Sequence, residues 1–231
     1  MSYKSLFIGV VLNGFGLFAS VVSAKDYAIE VIIFENKDGL QQSDEQFNYK
    51  RIIPVPTDGL DLENTNESSQ WRTIPEEEYI LNNVAQRLKQ SGKYRILKHI
   101  AWRQPVFERK DSQAISIKAG RDFSGQFPER AYRQFEFNDQ TQVNTGNTDN
   151  KVPELEGTLN VVITRYLHIY SDLVYRIPRT IPNEVSDALD RTQVLVDYSV
   201  NSHRRMRSRE LHYIDHPVVG ILVEATPIDD K

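Results

Sequence analysis

From Leu155 to Tyr175 the side chains alternate along an unusually long stretch. Leu159, Val161, Ile163, Leu167, Ile169 and Leu173 share one parity; Thr158, Asn160, Thr164, Tyr166, His168 and Tyr170 share the other. A period of two belongs to a β-strand with one dry face and one wet face, because a helix would scatter the same apolar set around its axis. The stretch is longer than the usual strand of roughly 3–10 residues. The sequence therefore predicts a bulge or bend near Arg165, where the apolar parity breaks. Whatever this chain folds into must contain a sheet that hides one face and shows the other to solvent.

Other segments extend that sheet. Tyr27 to Phe34 is rich in β-branched residues and reads as a strand. Tyr94 to Trp102 is a second, stopped before Pro105, and Ser112 to Ala119 a third, with Ile115 and Ile117 on one face. Gln193 to Met206 places Val194, Val196, Tyr198 and Val200 inward and Asp197, Ser199, Asn201 and His203 outward. Val218 to Ala225 is apolar on both faces, as a central strand is. One helix is expected from Pro75, with Glu76, Glu77 and Glu78 in its first turn, where the helix dipole favours acids. Ile80, Leu81, Val84 and Leu88 form its apolar face, and Gly92 ends it as a left-handed cap. Polar loops are expected over 36–73, 121–152 and 176–192, with Asn183 capping a short helix in the last. The sum is a single α+β domain: one mixed, mostly antiparallel sheet with a helix packed on one face and long polar loops.

The start of the chain bears on compartment. Lys4 precedes an uncharged run from Leu6 to Val22, and Val22-Ser23-Ala24 offers the small residues that a signal peptidase needs. The run is short for a membrane span, which needs about 20 apolar residues. Residues 1–24 therefore read as a cleavable export signal, and 25–231 as one domain working in the periplasm with no membrane span after cleavage. The chain has no cysteine, which rules out a disulfide scaffold, a thiolate metal site, a cysteine nucleophile and a lipid-modified N-terminal cysteine. Its formal charge of -4 disfavours a nucleic-acid partner.

Catalytic signatures are missing from the part after the leader. It contains no Ser-x-x-Lys, Gly-x-Ser-x-Gly, His-Glu-x-x-His or phosphate loop. A carboxylate pair for glycoside hydrolysis stays open, since the chain has 32 acids, Glu136 and Asp139 among them. His212, Asp215 and His216 were the one metal candidate. Pro217 opposes a helix there, and on a strand the two histidines would sit roughly 13 Å apart, too far for one ion. The expectation is no metal and no cofactor, and an Asp215-His216-Pro217 turn in which the Asp side chain bonds backbone two residues on.

The strongest local signal is His203-Arg204-Arg205-Met206-Arg207-Ser208-Arg209, four arginines with no acid. If the strand from Gln193 continues, His203, Arg205, Arg207 and Arg209 project in a row from its wet face. A neighbouring strand would set Tyr166, His168 and Tyr170 beside them. Guanidinium forks bind carboxylates and phosphates, and aromatic faces stack on sugars, so the row suits an anionic polymer that carries sugar rings. The competing reading is a solvated strand whose arginines pair with local acids. Trp71, beside Arg72 at the end of a long loop, is expected to be a sugar-stacking lid, and Trp102 a core or rim aromatic.

The block Arg204-Arg-Met-Arg-Ser-Arg-Glu-Leu-His-Tyr-Ile-Asp-His-Pro217, with Gly220-Ile-Leu-Val after it, resembles the CsiV-type family of peptidoglycan-binding proteins. Three more segments are similar in the same order: Tyr27 to Glu35, Ala101-Trp-Arg-Gln-Pro105, and Gly157 to His168. The sequence departs from that pattern at Arg209, where the resemblance implies Gly, and at Val218-Val219, where it implies Leu-Phe. The resemblance implies a non-enzymatic periplasmic protein that binds peptidoglycan. It also implies work with an outer-membrane lipoprotein activator of a bifunctional penicillin-binding protein, in support of wall synthesis and cell shape. It assigns no catalytic residue. Two alternatives stand beside it: an envelope protein–protein interaction module, docking by its last strand or by 121–152, and a cell-wall hydrolase.

Overall fold

The computed structural model describes residues 26–39, 51–64, 70–105, 109–131, 151–163, 166–182 and 191–228. The expected export leader, the polar run at 138–150, the bulge expected near Arg165 and the cap expected at Asn183 lie outside the described residues.

Among the described residues nine strands form two antiparallel sheets, not the single sheet expected. The strands are β1 (Tyr27–Asn36), β2 (Arg72–Thr73), β3 (Tyr94–Gln104), β4 (Ile115–Asp122), β5 (Pro153–Ile163), β6 (Leu167–Pro182), β7 (Arg191–Met206), β8 (His212–Ile214) and β9 (Val219–Pro227). One sheet has the order β2-β3-β1-β9-β8 and the other β4-β5-β6-β7. Alternation fixes that each sheet has a face to bury but not what covers it. The helix α1 (Asn82–Gln90) has nine residues, too few to cover either sheet. The sheets cover each other instead. Ile29, Val31, Trp102, Ile221 and Val223 from the first join Ile115, Leu159, Ile169, Leu173 and Val196 from the second in one dry cluster. Polar links cross it, among them Gln104 Nε2 donating to the Val161 carbonyl at 3.0 Å and Arg95 reaching Glu154 and the Tyr175 hydroxyl.

The long alternating stretch is a hairpin rather than one bent strand. β5 and β6 pair antiparallel from Leu155↔Tyr175 to Ile163↔Leu167, so they are the two arms of a hairpin. The break in apolar parity marks a reversal, and the parity survives it because Ile163 and Leu167 stand opposite each other. The loop expected at 176–192 is also partly strand: β6 runs to Pro182 against β7. Past Tyr175 it has no β5 partner, so the missing N–H of Pro178 is tolerated at an open edge.

β1 is buried on both faces. Ile29, Val31 and Ile33 face the other sheet, while Ile32 and Phe34 face α1 through Leu81 and Ala85. The helix begins later than the sequence suggests. Glu76–Glu78 form a separate 3-10 turn, and α1 starts at Asn82. Glu30 causes the break: its buried carboxylate accepts the N–H groups of Ile80 and Leu81 at 2.7 and 2.9 Å and contacts His99 at 2.7 Å. It thus satisfies helix N-terminal donors from a neighbouring strand, and Ile80, expected on the apolar face, is left 57% exposed. Gly92 has φ +70, the left-handed conformation expected after the helix. Among the described residues no helix is long and apolar enough to cross a membrane.

Candidate cation and aromatic face

The inner face of the β4-β5-β6-β7 sheet is in the core, so its outer face decides what the domain can touch. Toward the far end from the β5–β6 turn this face is covered. Phe123, Phe127, Ala131, Val152 and Leu195 cluster there. Asp197, expected to face solvent, is 5% exposed beneath that cover. It accepts a bond from Arg130 and the Ile53 N–H and lies 3.7 Å from the Nε of Arg176, itself only 1% exposed. The outward parity holds, but residues 123–131, from earlier in the chain, pack over it.

Toward the turn the face is open. His168 stands opposite Arg205, and Tyr170 opposite His203, across β6 and β7. The His203 ring lies parallel to Tyr170, with centroids 4.3 Å apart and planes at 4°. His168 Nδ1 is 2.8 Å from His203 Nε2, so one imidazole donates and the other accepts. The guanidinium carbon of Arg205 sits 4.4 Å above the centre of Tyr166. Burial, followed by the charges of His203 and Arg205, holds the His168 imidazole below its ordinary value. Five of the eight expected site residues are thus brought together: Arg205, His203, Tyr166, His168 and Tyr170.

The other three are elsewhere. β7 ends at Met206, which is buried, and the chain then turns. Arg207 leaves the row; its backbone N–H donates to His212 Nε2 at 3.0 Å and its guanidinium lies 3.6 Å from Glu210. Arg209 sits in the turn with φ 61, and its N–H donates to the Ala225 carbonyl at 2.9 Å. The row ends because a turn cannot keep the strand's two-residue period. Trp71 is 8% exposed and belongs to the main core cluster, so its ring has no open face for a sugar. Trp102 is fully buried, its indole N–H donating to Gln104 at 2.8 Å.

Sequence reading missed Arg109. It lies in the turn before β4, and its guanidinium carbon is 4.6 Å above the Tyr170 ring. Nothing but an Arg-Lys pair in a loop marked it, and that pattern is indistinguishable from an ordinary solvated turn. With Asn160, Tyr170, Asp172 and Asn201 it borders a shallow depression of about 460 Å³. Among the described residues no carboxylate lies within 4.0 Å of the Arg109, Arg204 or Arg205 guanidinium groups. The face can therefore hold anionic and hydrogen-bonding groups against a flat surface.

The segment weighed as a metal site is used locally. His212 lies on β8 as the acceptor for Arg207, and His216 Nδ1 accepts the Val218 N–H at 3.4 Å. Here His216, rather than Asp215, makes the bond two residues on; Asp215 instead accepts the Tyr213 hydroxyl at 2.6 Å.

The fold and the site define a two-sheet domain with an open face of arginines set on aromatic rings. The chain belongs to the CsiV family of peptidoglycan-binding proteins, whose family model matches residues 5–228. No curated protein and no solved structure matches it.

Proposed function

We propose that the chain binds peptidoglycan non-enzymatically in the periplasm, through the open outer face of the β4-β5-β6-β7 sheet. The observation that carries the site is the pair of arginines, Arg205 and Arg109, set over Tyr166 and Tyr170 with no carboxylate within 4.0 Å among the described residues. A guanidinium over a ring keeps its in-plane N–H groups for a carboxylate. The envelope location is supported by the family and by the leader-like residues 1–24. The family resemblance further supports action with an outer-membrane lipoprotein activator of a bifunctional penicillin-binding protein, and a role in wall synthesis and cell shape. Pull-down with purified sacculi tests the reading. The protein should sediment with sacculi at low salt and progressively less as salt rises, since exposed charge contacts are screened. Protein that stays in the supernatant at low salt defeats it, and release of soluble muropeptides would replace it with a hydrolase.

A second reading has its own support. Among the described residues β7 is an edge strand of its sheet, paired with β6 alone. An extended segment of another envelope protein can add to such an edge. Co-purification that survives digestion of sacculi favours this docking role over direct wall binding.

A further inference from the structure

We infer that the open face reads the stem peptides of the polymer rather than its sugar rings, an inference that rests on the peptidoglycan reading above. Sugar stacking needs a bare aromatic face, and Tyr170, the ring that borders the depression, is already covered, while Tyr166, 44% exposed, carries a guanidinium. His203 covers Tyr170 from β7, on one side of β6. Arg109 covers the same ring beside Asn160, on the β5 side. Arg205 lies over Tyr166. The imidazoles of His168 and His203 spend a nitrogen each on their mutual bond.

What stays unspent is charge. Two guanidinium groups rest on rings, 4.6 and 4.4 Å from the ring centres, so less rotamer freedom is lost when their forks close on a carboxylate. Asp172 supplies the opposite pole. It follows Tyr170 by two residues on the same face of β6 and lies beside Asn201 on β7. It lines the depression with Arg109 yet forms no ion pair with it. A stem peptide carries free carboxylates along with amide N–H groups, and an amine where its diamino residue is not cross-linked. Carboxylates meet Arg205 and Arg109; N–H or ammonium groups meet Asp172. A glycan strand stripped by an amidase keeps a lactyl carboxylate on each muramic residue but offers no peptide N–H or ammonium group to Asp172, so it matches only one pole of this face.

Three substrates separate the outcomes: intact sacculi, sacculi stripped of peptides by an amidase, and soluble competitors. Binding should hold on intact sacculi and fall at least tenfold on the stripped glycan. Purified stem peptide should compete, and N-acetylglucosamine oligomers should not. R205Q and R109Q should each weaken binding to intact sacculi about tenfold, the scale of losing a charge-assisted hydrogen bond. R87Q makes the same charge change on exposed Arg87 of α1, on the other sheet, and should leave binding as it is. Equal binding to stripped and intact sacculi, or competition by the sugar oligomers, overturns the stem-peptide inference while leaving peptidoglycan binding intact. Failure to bind intact sacculi at all overturns both.

Discussion

Glu154 of β5 and Arg95 of β3 meet across the two sheets, Arg95 donating at 2.6 Å to Oε1 and 3.2 Å to Oε2. The carboxylate is fully buried. Arg121 adds a backbone bond at 3.0 Å and a guanidinium bond at 2.9 Å, and Arg95 also holds Glu35 at 2.6 Å. Only the carboxylate is buried: Arg95 and Arg121 are 35% and 60% exposed, and Arg95 keeps Glu35 when Glu154 loses its charge. Glu154→Gln should therefore destabilise the domain by about 1–3 kcal/mol in urea unfolding, the scale of lost charge-assisted hydrogen bonds. The acid limb should change as well. Burial pushes the Glu154 carboxyl up, but the bonds from Arg121 and Arg95 outweigh it and hold it below its ordinary 4.5. As pH falls past that ordinary value the unfolded chain takes up the proton first. The contribution of Glu154 is thus complete above that pH and is lost as pH falls through the folded value. The gap in stability between Glu154→Gln and wild type should narrow over that acid range.

Gly120 lies against the same carboxylate. Its φ is +80, and a Cβ there would come within 2.6 Å of Glu154 Oε2 and 2.7 Å of Glu154 Cβ. Glu154 is held by two arginines and has nowhere to step aside. Gly120→Ala should cost about 2 kcal/mol or more, combining left-handed strain with the clash. Thermal unfolding should show a clear drop in midpoint, and an unchanged midpoint would falsify the close approach.

Arg209 is the mirror case. It carries a side chain at φ 61, in the position where the family resemblance implies glycine. Left-handed backbone costs a residue with a Cβ about 1–2 kcal/mol, partly offset by the greater unfolded-state entropy of glycine. Arg209→Gly should stabilise the domain by about 0.5–1 kcal/mol. Because Arg209 sits in the turn rather than in the strand row, sacculus binding should fall far less than in R205Q.

Trp71 separates packing from binding. A large aromatic buried in the joint core contributes through the area it hides, so Trp71→Ala should cost about 3–5 kcal/mol. Trp71→Phe keeps most of the volume, and its sacculus binding should equal that of the wild type. A binding loss in folded Trp71→Phe would return the residue to the ligand surface.

Where side-chain period decides structure, the sequence was readable. The parity of β5 and β6 sorted Leu159, Val161, Ile169 and Leu173 from Asn160, His168 and Tyr170, and the core holds the first set. The same parity placed Arg205 and His203 beside the β6 aromatics. Period does not say when a strand doubles back, so one long strand was expected where a hairpin stands. It also cannot see coverage. Asp197 obeys its outward parity and is still buried, because residues 123–131 return over that end of the sheet. Arg109 had no period to betray it, since its place over Tyr170 is a contact between a loop and a strand distant in sequence. Glu30 shows the same limit: a lone acid in an apolar strand stops a helix fifty residues later through two backbone bonds.

The bonded pair of His168 and His203 makes the open face sensitive to pH. The 2.8 Å contact needs one nitrogen without a proton, so it cannot survive when both rings are doubly protonated. His168 resists protonation because burial, then the charges of His203 and Arg205, hold it below its ordinary 6.5. As pH falls past that ordinary value the unfolded chain binds the proton and the folded chain does not. Stability therefore declines from there downward until the folded His168 itself titrates, and then declines no further on this account. An NMR titration should place the His168 midpoint below 6.5, and Arg205→Gln should move it upward by removing one of the three causes. A His168 midpoint that ignores Arg205→Gln would show that the guanidinium does not stand over this face in solution.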